Sequence, residues 1–136
     1  MQLYAYLFFN GNCEEAMNFY KDAFGGEIVS ISRYRESPMP FAEEDADKVM
    51  HGEMDAIGTK MFFSDCPADR AANFGNNISL SLGFTNDADI KAAYNAISAG
   101  GTITMPLQDT FWGAKFGMCT DKFGVNWMFN WDKPKE

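Results

Sequence analysis

The chain has 136 residues, 46% of them apolar and 15% aromatic, enough for one domain with a sizeable core, and its formal charge is −8. That charge argues against nucleic-acid phosphates and anionic membrane surfaces as partners, since both need clustered Lys and Arg. Cys13, Cys66 and Cys119 fit no metal-ligand spacing. With no basic-then-apolar leader and no run near the ~20 residues of a membrane span, they read as reduced thiols of a cytoplasmic protein.

The first expected strand is Leu3–Phe9. A helix follows, because Ala16, Phe19, Tyr20, Ala23 and Phe24 recur at helical spacing. Asn12 stands at its N-cap position, Glu15 is placed to complete a capping box, and Gly25 supplies a left-handed stop. Strand-like runs then cover Glu27–Tyr34, Val49–Ile57 and Thr59–Cys66, the last two joined at Gly58-Thr59. Between them, Arg35–Lys48 is an acidic, proline-containing connection, read either as a solvated loop or as a flap contacting through Met39 and Phe41.

The second half repeats this order. A strand Ile78–Phe84 leads to a helix carried by Ile90, Ala93, Tyr94 and Ile97, capped from Asn86 or Asp87 and stopped at Gly100. Thr102–Leu107, Ala114–Thr120 and Val125–Trp131 follow as strands. The Gly pairs at 25–26 and 100–101 stand 75 positions apart, and five elements in the same order make a duplicated β-α-β-β-β unit. The expected organisation is a single domain over 1–136: module one 1–66, linker 67–76, module two 77–132 and a tail 133–136.

His51 is the one histidine. On a strand it could be a general base, a ligand-binding hydrogen-bonder or a structural residue, and Glu53, two residues on, would share its face. Phe111 and Trp112 sit in a turn, as a pocket wall or a lid over the core. Asp121 reads as a turn-former and Cys13 as a buried, inert thiol.

The segments Ala16-Met17-Asn18-Phe19-Tyr20, Phe24-Gly25-Gly26, Val49-Met50-His51-Gly52-Glu53, Leu107-Gln108-Asp109-Thr110-Phe111-Trp112-Gly113 and Thr120-Asp121-Lys122-Phe123-Gly124-Val125-Asn126-Trp127 resemble, in that order, the vicinal-oxygen-chelate superfamily. That superfamily contains glyoxalase I, extradiol dioxygenases and the bleomycin-resistance proteins. Within it the chain looks most like the PhnB-like branch, whose members are labelled as resembling 3-demethylubiquinone-9 3-methyltransferase. The resemblance implies an α+β fold in which the two modules form a curved mixed sheet, an incomplete barrel with helices outside and a ligand cavity inside. It also implies a homodimer.

Metal-dependent members place His, Gln or Glu on the first and last strand of each module. Matched along the motifs, those positions hold Ala5, Asn77 and Met128, and Thr59–Ser64 offers no carboxylate or imidazole. The expectation is therefore no metal and no cofactor. Strand alternation from the same positions would line the cavity with Ala5, Leu7, Asn77, Ser79, Asn126 and Met128, with Phe111 and Trp112 beside them. The leading reading is metal-free binding of a small molecule. A metal-dependent lyase, isomerase or dioxygenase around His51 and Glu53 is the alternative, and a structural dimer with a vestigial cavity the second. A methyltransferase is disfavoured, because no Gly-rich strand-to-helix loop is present.

Overall fold

The computed structural model describes residues 1–135, which divide into two compact units with the boundary between Asn73 and Phe74. The first unit runs β1 (Ala5–Phe9), α1 (Cys13–Phe24), β2 (Glu27–Arg33), β3 (Val49–Ala56) and β4 (Thr59–Asp65). The second runs β5 (Leu80–Gly83), α2 (Asp87–Ser98), β6 (Thr102–Asp109), β7 (Ala114–Thr120) and β8 (Asn126–Asp132). Strand order is β1-β4-β3-β2 in one sheet and β5-β8-β7-β6 in the other. In each unit the first and last strands pair parallel and the other pairs are antiparallel. The duplication read from the sequence is thus a duplication of topology. The fold is α+β, realised as two four-stranded mixed sheets, neither of which closes into a barrel.

The helices bury one face each, as an apolar stripe must. In α1 the buried residues are Cys13, Ala16, Met17 and Tyr20, and in α2 they are Ile90, Ala93, Tyr94 and Ile97. Under α1, Tyr20 stacks on Phe63 with ring centroids 6.1 Å apart, and Phe63 stacks on Phe9 at 6.4 Å. Under α2, Tyr94 meets Phe129 edge-on at 5.4 Å, beside the fully buried Trp127. Each such side chain removed from water contributes roughly 1.5–3 kcal/mol.

The caps differ in kind. Asn86 caps α2 as expected, its side-chain oxygen accepting from Asp89 N at 2.8 Å. Asn12 occupies the N-cap of α1 but its side chain makes no capping bond. Instead Asp65, at the end of β4, accepts from Gly11 N at 2.8 Å and Cys13 N at 3.0 Å. A carboxylate outcompetes an amide there because it meets the exposed N–H groups and the positive helix end together. The paired glycines also acquire separate reasons. Gly25 and Gly100 adopt φ of 65° and 75°, which favours glycine. A Cβ on Gly26 would stand 2.9 Å from Asp55 O, and one on Gly101 would strike Thr120 O.

Two strand starts move inward from the expected positions. β1 begins at Ala5 and β5 at Leu80, leaving Ile78, the expected start of that strand, 71% exposed. β6 runs past Leu107 to Asp109 and tolerates Pro106 because it is an edge strand. No described helix is long and apolar enough to cross a membrane.

Candidate functional site

In the first unit, one face of the sheet packs under α1 and the other is open. Register decides which residues go where. Ala5, Leu7 and Phe9 pair with Met61, Phe63 and Asp65, so they share the face that holds the Phe9–Phe63–Tyr20 stack. Ala5 and Leu7, expected to line a cavity, therefore lie on the helix-covered face, because Phe9 is wholly buried and sets the parity of the strand. The open face belongs to Tyr6 and Phe8 instead, 41% and 49% exposed.

Across the neighbouring strands the same face carries Phe62 and Ser64 from β4, His51 and Glu53 from β3, and Ser30 and Ser32 from β2. The rings form a continuous run. Tyr6 stacks on Phe8 at 4.9 Å and on Phe62 at 5.9 Å, and Phe62 stacks on His51 at 5.6 Å. At its centre the Tyr6 hydroxyl and His51 Nδ1 are 2.9 Å apart. Partial burial, reinforced by the Cys13 and Tyr34 side chains, pushes the Tyr6 phenol above its usual value, so it is a proton donor at neutral pH. Nearby, Tyr34 donates to Asp65 O at 2.7 Å and Ser64 to Met50 O at 2.8 Å.

His51 and Glu53 do not pair with each other. The two residues do share a face, but the Glu53 carboxylate accepts from Lys60 Nζ at 2.9 Å, and Lys60 also reaches Asp55 at 3.1 Å. Among the described residues, no three His, Cys, Asp or Glu side chains come close enough together to hold a metal ion. With Glu53 held by an ammonium and no second and third ligand beside His51 among the described residues, the donor set does not fit the divalent site of the metal-dependent glyoxalases.

In the second unit, Met105, Met118, Met128 and Ser81 stand in register across all four strands on the open face, while Trp127 and Phe129 pack under α2. Met128 and Asn126 have the parity expected of them. Asn126, however, is consumed structurally: its amide donates to Gly75 O and Ile78 O at 2.8 and 3.0 Å, and its oxygen accepts from Thr120 at 2.9 Å. Asn77 and Ser79 precede β5 rather than lying in it. Phe111 and Trp112 top the β6–β7 hairpin, 97% and 59% exposed, and touch each other edge-on at 4.9 Å. They cover no core. Asp121 is a turn-former: it accepts from Phe123 N, Val125 N and the Trp127 indole at 2.8, 3.1 and 2.8 Å.

Several hollows mark the first unit, among them one of about 350 Å³ beside Tyr34, Phe41 and Arg70. A shallow groove of about 820 Å³ runs beside Gln2, Tyr4, Asp55, Ile57, Thr59 and Lys60 at the β3–β4 turn. It is large but lies away from the Tyr6–His51 pair, so its size does not mark the chemistry. A smaller acidic hollow of about 380 Å³ lies under the Arg35–Lys48 connection. That connection is fastened to the body of the unit: Arg33 donates to Asp47 O at 2.9 Å, and the buried Asp45 accepts from Ala68 N at 3.2 Å. Met39 stands exposed on it, and Phe41 is partly so.

Residues 3–129 match the family model of the Glyoxalase/Bleomycin resistance protein/Dioxygenase superfamily. Protein YjdN of Escherichia coli is 32% identical over 142 residues, covering 96% of this chain and 95% of that protein. Protein PA1353 of Pseudomonas aeruginosa superposes with a TM-score of 0.90 at 36% identity, covering 98% of this chain and 99% of its own. The PhnB protein of Bacillus cereus, described as a candidate 3-demethylubiquinone-9 3-methyltransferase, superposes at 0.81 with 31% identity, covering 96% and 99%.

Proposed function

This chain belongs to the Glyoxalase/Bleomycin resistance protein/Dioxygenase superfamily, and we propose that within it, alongside its PhnB-like relatives, it binds a small molecule without a metal. One observation carries this reading. The open face of the first sheet presents Phe8, Tyr6, Phe62 and His51 as touching rings, with one phenol–imidazole pair among them. A sheet face that merely met water would carry polar residues in alternation with the core. A run of half-exposed rings with few, fixed polar groups is the composition of a ligand surface.

The test is a thermal-shift titration of chelator-treated protein, first with zinc, nickel, manganese and iron, then with a library of small aromatic compounds. A ligand at about 100 times its Kd adds about 2.7 kcal/mol, which raises the Tm by about 10 °C in a protein of this size. Stabilisation by an aromatic compound and by none of the ions is expected. Stoichiometric uptake of an ion with a large rise in Tm would instead make the chain a metal enzyme of the glyoxalase kind.

A second reading, self-association, is favoured by the edge strand β6, where Ile103 and Met105 are exposed near its start and the Phe111–Trp112 tip is exposed past its end. Sedimentation equilibrium tests it: a dimer that Trp112→Ser dissociates is the expected outcome, and a monomer of the wild-type chain sinks the reading.

A further inference from the structure

We infer that the Tyr6–His51 pair selects an uncharged, planar aromatic compound carrying a carbonyl oxygen, an inference that rests on the small-molecule reading above. The two partners at 2.9 Å need one proton between them. A neutral imidazole nitrogen is a much better acceptor than a phenol oxygen, so the Tyr6 hydroxyl donates and His51 Nδ1 accepts. The remaining proton of the ring then sits on Nε2. His51 is half-buried and Nε2 has no hydrogen-bond partner among the described residues. The pair therefore presents a single N–H donor of fixed tautomer at one end of a run of rings.

Each surrounding group narrows the choice of ligand. Phe8, Tyr6 and Phe62, stacked on one another along the open face, form an apolar aromatic run that favours an aromatic ring system. The outward N–H requires an acceptor oxygen and is of no use to a cation. An anion is disfavoured, because the ammonium of Lys60 on this face is already held by both Glu53 and Asp55. Tyr6 is a positioning residue here, since it acts on the ligand through the imidazole.

The probes are 2-acetylnaphthalene and its carbonyl-free counterpart 2-ethylnaphthalene, with dissociation constants from ligand-observed NMR. The wild-type chain is expected to hold the ketone about fivefold more tightly than the hydrocarbon, as one hydrogen bond allows. His51→Phe keeps a ring in place and removes the donor, so it is expected to abolish that preference, and Tyr6→Phe to reduce it. Because the chain has a single histidine, its imidazole nitrogen resonances are read directly, and protonation at Nε2 is expected. Equal affinity for both probes, a preference that survives His51→Phe, or a proton on Nδ1 each overturns the inference and leaves the rings standing as a binding surface. Failure of both probes to bind overturns the small-molecule reading of this face and the inference with it.

Discussion

Replacing Asp65 by alanine isolates the contact that organises the first unit. The carboxylate is 2% exposed and accepts three backbone N–H groups: Gly11 and Cys13 on one oxygen, Val49 at 3.0 Å on the other. It thereby joins the loop into α1, the start of β3 and the end of β4. A hydrogen bond to a charged group contributes about 1.5 kcal/mol net of water, and a buried donor left without a partner costs at least that much. Loss of all three in Asp65→Ala amounts to about 4 kcal/mol, a large part of the 5–15 kcal/mol typical of a domain. Asp65→Asn keeps one acceptor oxygen for the helix end and turns an NH2 toward the Val49 N–H, losing about 2 kcal/mol. At about 4 °C per kcal/mol the Tm falls by ~16 °C and ~8 °C respectively. Asn12→Ala, by contrast, is near neutral, where a true capping side chain would lose about 1 kcal/mol. Urea unfolding followed by circular dichroism measures all three. A loss below about 1 kcal/mol for Asp65→Ala, or a larger loss for asparagine than for alanine, refutes the reasoning.

Ile57 holds φ at 56° in a tight turn with Gly58 at 70°, a conformation that a β-branched residue adopts only under strain, and its side chain is half exposed. Ile57→Asn is expected to stabilise by about 1 kcal/mol, and a fall in Tm would show that the exposed isoleucine makes a contact worth more than the strain. Burial raises the Cys13 thiol and pushes the Cys119 thiol up to about 11, whereas Cys66 is half-exposed. A thiol reagent at neutral pH is accordingly expected to label Cys66 alone until the chain unfolds, and prompt labelling of Cys13 or Cys119 counts against that packing. Hydrogen bonds from Lys115, then Lys91, hold the Asp87 carboxyl below its usual value. Its contribution is whole above the unfolded carboxylate range and disappears as the pH falls through the folded value. The Tm gap between the wild-type chain and Asp87→Asn should close between about pH 6 and about pH 2, and a gap constant with pH contradicts the assignment.

The fold was legible because its signals are local. Helical stripes, two Gly pairs and the alternation of polar and apolar residues in Asn126–Trp131 all lie within a dozen residues, and each gave the correct face or boundary. The first strand was misread for the opposite reason. Leu-Tyr-Ala-Tyr-Leu-Phe-Phe carries no polar marker, so its parity is decided only by Phe9 meeting Phe63 from a strand far along the chain. Tyr6, the partner of His51, was missed with it. Likewise, that His51 and Glu53 share a face follows from their spacing, but their partners come from β1 and β4 and leave no trace in the local sequence. The cap of α1 is supplied from Asp65, across 52 residues, while the nearby Asn12 looked sufficient.

The parallel pairing of β1 with β4 has a consequence for how the chain is made. β1 is synthesised before β4, yet the partner of its Ala5 is Met61, and at about 5–20 residues per second the ribosome needs ~3–11 s to deliver it. Throughout that interval a strand bearing Tyr6, Phe8 and Phe9 has an unpaired edge and bare rings, the features that draw nascent chains together. The helix α1 can form in the meantime, since its contacts are short-range. The exposed moment of β1 therefore falls during translation, and shielding of that strand by a chaperone or by the exit tunnel would serve it until β4 is made.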